Sequence, residues 1–584
     1  MFNLVLLKIT SKLREKNNFF GFDIETSDKN KKFLLGSIVS DNFKKVFYDP
    51  KSMIEYLSSV ANKTILVATN LEFDSKALFN RNNSLYPYIP FYRNSDMISG
   101  KFEKIYFLDT MNYMKMGVEK IGEFLNIPKL KAPDFLGHTP KNNNEWNELI
   151  EYNIRDSFIS YSLFKYLSKA SLNLGCNLKP TIASTSMDLY RRKFLKFPLK
   201  RTSKINNKLQ KNAYFGGRSE AFYRGAIKNF NFYDYKSMYP SVMRYEYPNP
   251  NYCSHTNYGK MHNIMSYEGV TDVSLTAPYN FYPLLPCRNE HKLLFAIGEY
   301  DGFYSHIELR KAISLGYRIN KIREQFYYTK TFYPFEEFVN SMYSLRMQYS
   351  KNNDDKMSLF IKTLMNSLYG KFGTRLETTE IKHEEEIDIK KLLVDIGNGL
   401  KVDIINGYYI FKKDMDENKI PAYCIPILSL YTTAYARIKL YDSIVKHKAV
   451  YVDTDSIITK HDIESSNKLG SLEFVEKIKT GIIVKPKMYR SNDKPKIKGL
   501  RKTTKEIFDE IVIEHKKGRY IKFMKFKETL RRTELIDGEK PYFNQPVTIE
   551  KSFDLEDDKR IWREKFSPYK MQISSPIILK AKSI

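Results

Sequence analysis

Apolar and polar positions along the chain change period several times, and the changes mark its elements. Residues 19–26, FFGFDIET, alternate as a strand does, and the apolar stretch Ile65–Thr69 reads as a second strand. From Asn147 to about Leu167 the apolar spacing becomes helical, so a first α/β unit is expected to end near residue 170. The stretch SLNLGCNLKPTIAST, with its Gly, Pro, Ser and Asn, reads as a linker or domain edge. Strands are then expected at Asn229–Tyr235 and Lys448–Thr459. Helical patterns over Phe335–Lys351 and Met357–Phe372 flank NNDD, whose Asn and Asp favour a turn, so the two should form an antiparallel helical hairpin. Thr374–Pro421 is a charged, mixed insertion, and beyond Gly499 the chain is Lys-rich with no evident catalytic cluster.

Composition sharpens this picture in one respect. The 584 residues carry 95 Lys+Arg against 67 Asp+Glu, a net +28. Such an excess points to a polyanionic partner, most simply nucleic acid, although charge alone also suits a merely soluble basic protein. A hydrophobic fraction of 42% is enough for a sizeable core, and the length suggests about four domains or subdomains. The four cysteines, Cys176, Cys253, Cys287 and Cys424, are scattered without a Cys-x-x-Cys pair, which argues against disulfide scaffolds and zinc or iron–sulfur sites. No apolar run reaches membrane-spanning length, and MFNLVLLKITSKLREK lacks the order of a signal peptide. The expectation is a soluble, intracellular protein.

Two sets of carboxylates stand out. Asp23 and Glu25 are two apart on a strand, hence on one side of it, and a core strand does not carry two acids without compensation such as a bound cation. Asp74 follows in Asn70-Leu71-Glu72-Phe73-Asp74, and Tyr152 and Asp156 lie one helical turn apart. Four such acids could hold two hard cations about 4 Å apart for phosphodiester hydrolysis, with Tyr152 orienting the attacking water. Acids recurring by chance is the plainer account of Asp74 or Asp156 taken singly. The second set is Asp453 and Asp455 in Tyr451-Val452-Asp453-Thr454-Asp455-Ser456, joined by Asp234 at the end of another strand. These would bind two Mg²⁺ for phosphoryl or nucleotidyl transfer, and the turn after Asp234 can offer N–H groups to a triphosphate. Lys362, Asn366 and Tyr369 share one helix face, a suitable wall for a nucleotide.

In this order the motifs resemble those of a family B DNA polymerase with a proofreading exonuclease, over nearly the whole chain. Asp23/Glu25, Asn70…Asp74 and Tyr152…Asp156 resemble the three exonuclease motifs. Asp234…Ser237-Met238-Tyr239-Pro240 resembles the Asp-x-x-Ser-Leu-Tyr-Pro motif with Met238 in the usual Leu place, Lys362…Asn366-Ser367-Leu368-Tyr369-Gly370 the finger-helix motif, and Tyr451…Asp453-Thr454-Asp455 the Tyr-x-Asp-Thr-Asp motif. The resemblance implies an RNase H-like 3′–5′ exonuclease domain (1–185) followed by a right-hand polymerase domain (186–584), an α/β and α+β multidomain chain. Within the latter it implies a palm (about 190–244 and 422–500), fingers (336–373) and thumb (501–584).

The resemblance also implies roles. Asp234 and Asp455, with Asp453 beside them and Tyr235 adjoining, would hold the polymerase metals, two Mg²⁺ per active site with Mn²⁺ able to substitute. Lys362, Asn366, Tyr369, Ser237, Met238 and, more weakly, Arg346 would meet the deoxynucleoside triphosphate, while Tyr239 would exclude a ribose 2′-hydroxyl. Lys487-Met488-Tyr489 resembles the Lys-x-Tyr element that holds the primer terminus, and Thr26, Asn70 and Phe73 would hold a single-stranded 3′ end. Lys131 is the candidate auxiliary exonuclease lysine. Tyr214-Phe215-Gly216-Gly217 resembles the Tyr-x-Gly-Gly element that coordinates synthesis with editing. Short overall length and insertions at about 245–335 and 374–421 resemble the protein-primed branch of small phages, linear plasmids and some viruses. There the first insertion would contact a terminal protein and the second would support strand displacement. The partners expected are template-primer DNA, deoxynucleotides and a terminal protein, with no membrane, for a monomer in the host cytoplasm, an organelle or a viral replication site. Two other readings stay open: a primer-extending polymerase without protein priming, and a non-catalytic basic nucleic-acid-binding protein.

Overall fold

A computed structural model of the chain describes residues 5–14, 18–27, 32–79, 88–93, 96–289, 292–374, 376–383, 387–397, 400–405, 408–466, 468–500, 503–516, 518–523 and 546–580. Part of the segment expected as thumb, residues 524–545, lies outside the described residues.

The first unit is a seven-stranded mixed sheet in which Phe19–Thr26 pairs antiparallel with Phe33–Val39 and parallel with Thr64–Ala68. Phe22 and Ile24 of that strand are buried in an apolar cluster with Phe47, Met53 and Phe107. Its opposite face meets the 31-residue helix Asn143–Asn173. The approach is close enough to require glycine: a Cβ on Gly21 would lie 1.9 Å from the carbonyl oxygen of Ser157. Asp23 and Glu25, on the same side as Gly21, therefore face Asn153 and Asp156 of the helix.

The expected linker is only partly one. Helix Ile182–Lys193 starts inside it, capped by Thr181, whose side chain accepts the Ser184 N–H. Its apolar face joins one continuous buried cluster that runs from Ile159, Leu163 and Phe164 of the first unit to Tyr190, Phe338, Leu364 and Phe372. The first unit is thus packed onto the rest of the chain rather than tethered to it.

The second unit is built on a nine-stranded sheet whose central strand, Tyr223–Tyr235, starts earlier than the expected Asn229. Lys448–Thr459 is not one strand. It is a hairpin, Tyr451–Asp453 against Ser456–Thr459, turned at Thr454, which sits at φ 66°. The Asp455 N–H donates back to the Asp453 carbonyl at 2.8 Å, closing the turn. The helical hairpin forms as expected from Glu336–Lys351 and Asp355–Phe372, with Asn353 at φ 57° in the turn and Asp354 accepting the Met357 N–H. Residues 253–328 supply four strands of a five-stranded sheet, and 377–414 hold a three-stranded sheet and the helix Ile389–Gly397. The C-terminal tail returns to both central pieces: Gln572 and Ile573 pair with Arg224 and Tyr223, and Ile578–Leu579 pairs parallel with Ile297 and Gly298. Among the described residues no helix is long and apolar enough to cross a membrane.

Candidate functional site

Two acidic centres lie in the two units. In the first, Asp23, Glu25 and Asp156 each place a carboxylate oxygen within 4.8 Å of the others. Asp74, carried by helix Leu71–Leu78, stands beside this trio with its Oδ1 accepting the Ile24 N–H at 2.9 Å. Asn153 donates to Asp23 Oδ2 at 2.7 Å. Burial pushes all four acids up, and repulsion adds to it at Asp23, Glu25 and Asp74, whereas Lys129 opposes it at Asp156: Asp23 is raised well above its usual range by burial and then by Asp74, Glu25 and Asp156, and Glu25 reaches about 8. An all-oxygen donor set that cannot ionise together in water's absence suits a hard divalent cation.

The lysine that lies beside these acids is not Lys131. Lys131 is exposed and pairs with Asp134 at 3.6 Å, whereas the ammonium of Lys129 pairs with Asp156 and lies 4.3 Å from the centre of the Tyr152 ring. Tyr152 itself is buried beside Asp156. Asn70 caps the helix that carries Asp74, at φ 69°, a backbone held by Asp109, whose carboxylate accepts the N–H groups of Asn70 and Leu71 at 3.1 Å each. Phe73 follows on that helix, its N–H donating to the Asn70 carbonyl, and Thr26 closes the acidic strand at a shift of register.

This centre carries a pH prediction. The folded Glu25 carboxyl keeps its proton up to about 8 against 4.5 in its ordinary state, so between these values the folded chain binds more protons than the unfolded one. Its contribution to stability therefore falls as pH rises through that window, and a cation that replaces the proton removes the loss. The gain in thermal midpoint on adding a divalent cation to chelated protein should be larger at about pH 8 than at about pH 6. An equal gain at both would show that no cation replaces protons here.

In the second unit Asp234 ends the central strand opposite Ser456, and the Tyr235 N–H donates to the Asp455 carbonyl at 2.8 Å, which sets Asp234 and Asp455 side by side. Burial and then the Asp455 charge raise Asp234 to about 6, against the opposing influence of Lys362. Burial and then Asp453 raise Asp455. Asp453 behaves oppositely: burial pushes it up, but Lys487 and Lys496, each 3.2 Å from one of its oxygens, outweigh this and hold it below the usual range. A cleft of about 390 Å³ opens over these groups, with Tyr489 and Val475 in its walls.

The nucleotide-facing candidates divide. Lys362 and Asn366 are exposed on one face of helix Asp355–Phe372, and Tyr369, on the same face, stacks on Tyr239 at 5.0 Å with the rings 4° from parallel. Arg346 Nη1 reaches Ser237 Oγ at 3.5 Å, and Ser237 takes φ 53° ahead of helix Met238–Met243. Met238 is 2% exposed within an apolar cluster, so its side chain cannot meet a nucleotide. The Tyr235 phenol is likewise turned away, bonded to Ser443 Oγ and the Lys439 carbonyl, leaving only its backbone at the acids.

Gly217 packs where no side chain fits: a Cβ would lie 2.9 Å from both Thr454 Cγ2 and Tyr239 Oη, while one on Gly216 would meet open space. Tyr214 lies against Gly373 at the end of helix Asp355–Phe372. Two residues not singled out from sequence hold this loop. Arg437 donates to the carbonyls of Phe215 at 2.7 Å and Gly216 at 3.1 Å, and its guanidinium pairs in the core with Glu308. Lys487 takes φ 65° and donates its N–H to Tyr451 Oη, and Tyr489 packs on the Tyr451 ring at 5.1 Å.

Known proteins share this fold. Phi29 DNA polymerase complexed with primer-template DNA and incoming nucleotide substrates superposes with a TM-score of 0.68 over 93% of this chain and 100% of that one, at 16% identity. Its complex with single-stranded DNA matches with a TM-score of 0.67 over 93% of this chain. A likeness at this identity speaks for the mixed α/β, multidomain architecture. In sequence, a probable DNA polymerase of Neurospora intermedia is 26% identical over 443 residues, 68% of this chain and 44% of the relative. One of Podospora anserina is 25% identical over 463 residues, 66% of this chain and 38% of the relative. The chain thus spans less than half the length of these relatives. The family model for DNA polymerase type B, organellar and viral, matches residues 120–450, more than half of the chain. The protein therefore belongs to the organellar and viral type B DNA polymerase family.

Proposed function

We propose that this chain is a template-directed DNA polymerase with a 3′–5′ proofreading exonuclease, protein-primed and strand-displacing, which replicates a small linear DNA. The observation that carries the reading is the pair of separate acidic centres, one with Asp23, Glu25 and Asp156 and one with Asp234 and Asp455, with burial raising every one of these acids and neighbouring carboxylates adding to it at Asp23, Glu25, Asp234 and Asp455. Divalent cations, Mg²⁺ by this reading with Mn²⁺ as a substitute, would be held by Asp234, Asp455 and the Tyr235 carbonyl in one centre and by the four acids in the other. Bound there, they would supply positive charge against that developing on phosphate oxygens. In synthesis a primer 3′-hydroxyl attacks the α-phosphate of a deoxynucleoside triphosphate, the bond from that phosphorus to the β-phosphate oxygen breaks, and pyrophosphate leaves. Lys362 and Arg346 neutralise the triphosphate, Asn366 and Tyr369 wall the nucleotide, and Tyr239, fixed by its stack on Tyr369, closes the space a 2′-hydroxyl would need.

In editing, Thr26, Asn70 and Phe73 hold the frayed 3′ end, Tyr152 orients water, and Lys129 sits where Asp156 and the scissile phosphate meet. Tyr214 and Gly217 link the two activities through contacts at Thr454, Tyr239 and the finger helix, and Gly216 through its carbonyl, which accepts from Arg437. The exonuclease is taken as 1–185 and the polymerase as 186–584, with the 245–335 insertion meeting a terminal protein and 374–421 the downstream strand. The chain would act as a monomer, in whichever intracellular compartment holds its DNA. Support for the partners comes from the phi29 complexes with primer-template DNA and nucleotides, and support for the polyanion from the net +28.

A 5′-labelled primer on a template with a long downstream duplex tests the reading. Extension through the duplex with nucleotides present, and 3′ shortening without them, are the expected results. Absence of extension would overturn the polymerase, and a halt at the duplex would overturn strand displacement.

A further inference from the structure

Asp453 is the acid of the second centre that does not share the behaviour of its neighbours. It is 6% exposed, and two ammonium groups converge on its two oxygens, Lys487 on Oδ1 and Lys496 on Oδ2. One carboxylate faces two cations, so this group of three carries one positive charge in excess, within the cleft that Asp234 and Asp455 also line. Lys487 belongs to the Lys-x-Tyr element, but Lys496 lies on the next strand of the sheet and in no motif.

Its placement is nonetheless fixed by the fold. Strands Met488–Ser491 and Lys494–Ile497 form an antiparallel pair in which Tyr489 stands directly opposite Lys496. Opposed residues of such a pair project to the same face, so Tyr489 and Lys496 enter the cleft together. The Lys496 ammonium lies 5.6 Å from the Tyr489 ring centre, and the side chain is 54% exposed, within reach of a strand in the cleft. An ion pair this exposed contributes little to stability, so stability alone gives no reason for a second lysine here.

We propose that Lys496 is a primer-binding residue: with Lys487 it grips the phosphodiesters next to the primer 3′ end, and Asp453 is the anion on which both lysines rest when no DNA is bound. A primer whose 3′-hydroxyl reaches Asp234 and Asp455 must carry its last phosphates past the same two ammonium groups. Those phosphate oxygens offer what the Asp453 oxygens offer, a close anionic acceptor for each lysine. The inference rests on the polymerase reading and extends it to a third side chain on the Tyr489 face.

The test measures the affinity of the full-length protein for a recessed primer-template over a series of salt concentrations, for wild type and for Lys496→Ala, Lys496→Gln, Lys496→Arg and Lys487→Ala. Lys496→Ala and Lys496→Gln should weaken binding about tenfold, the scale of one charge-assisted contact. They should also reduce the slope of log affinity against log salt by about 1, as Lys487→Ala does, while Lys496→Arg keeps the wild-type slope. With nucleotides present, the weakened variants should also shorten more primer ends, because a primer released from this cleft is open to degradation. An unchanged slope overturns the proposal even if affinity falls, since Lys496 would then act only through Asp453. Failure of the polymerase reading looks different: wild type itself would not extend the primer.

Discussion

Asp455→Ala is expected to reduce primer extension by on the order of 10³-fold or more while 3′-end shortening proceeds at the wild-type rate. Losing a carboxylate that holds a catalytic cation removes several kcal/mol of transition-state stabilisation, and each 1.36 kcal/mol is about tenfold in rate. The substitution suits the question because the Asp455 backbone, not its side chain, builds the turn. Its N–H donates to the Asp453 carbonyl and its C=O accepts from Tyr235, and alanine keeps both. Its charge also contributes to raising Asp234, so the variant should unfold no earlier than wild type when cations are absent. Single-turnover extension in Mg²⁺ beside a thermal scan decides it. Extension within tenfold of wild type would remove Asp455 from the chemistry. Loss of both activities in a folded protein would show that the two centres are not independent.

Local periodicity made much of this arrangement legible. The alternation in FFGFDIET sets Phe22 and Ile24 against Asp23 and Glu25 without any tertiary information, and the 3.6-residue period sets Lys362, Asn366 and Tyr369 on one helix face. Where backbone conformation departs from residue preference, the pattern misleads. Tyr451–Ser456 reads as a single strand because Thr454 is β-branched and favours extension, yet it adopts φ 66° under contact with Gly217 and a hydrogen bond to the Arg218 carbonyl.

Groups that act through distant partners leave no local trace. Lys129 and Lys131 are equivalent by pattern, and only the packing of their segment on helix Asn143–Asn173 assigns the first to Asp156. Arg437 and Glu308 meet across 129 residues, and Lys496 meets Asp453 across 43. The tail behaves likewise: Ile578–Leu579 finds its partner strand at Ile297–Gly298, a pairing that no turn signal or spacing announces. A Gly that must be Gly is also decided at long range. Gly216 and Gly217 look alike in sequence, but only the second is pressed between Thr454 and Tyr239.

The reciprocal substitution, Asp23→Ala, is expected to abolish 3′ shortening, again by on the order of 10³-fold, and to leave primer extension in place. Asp23 is strongly opposed by its surroundings, raised by burial first and then by Asp74, Glu25 and Asp156 in turn. Removing it withdraws one oxygen from the trio and takes out a buried carboxyl that its neighbours oppose, so the remaining site should hold a cation less tightly. Two opposing effects act on the fold. Relief of repulsion stabilises it, while Asn153 loses the acceptor of its 2.7 Å hydrogen bond, a cost of about 1–3 kcal/mol for a buried donor. Asp23→Asn keeps an acceptor for Asn153 and serves as the second variant if alanine proves unstable. Extension measured on a matched primer should be unchanged in both. On a primer with a mismatched 3′ end, both should extend without first trimming, and the mismatch should persist in the product. Trimming at the wild-type rate would place the hydrolytic centre elsewhere. A parallel loss of extension would mean that the buried contact between helix Asn143–Asn173 and the hairpin Glu336–Phe372, which share one apolar cluster, carries disturbance from one centre to the other.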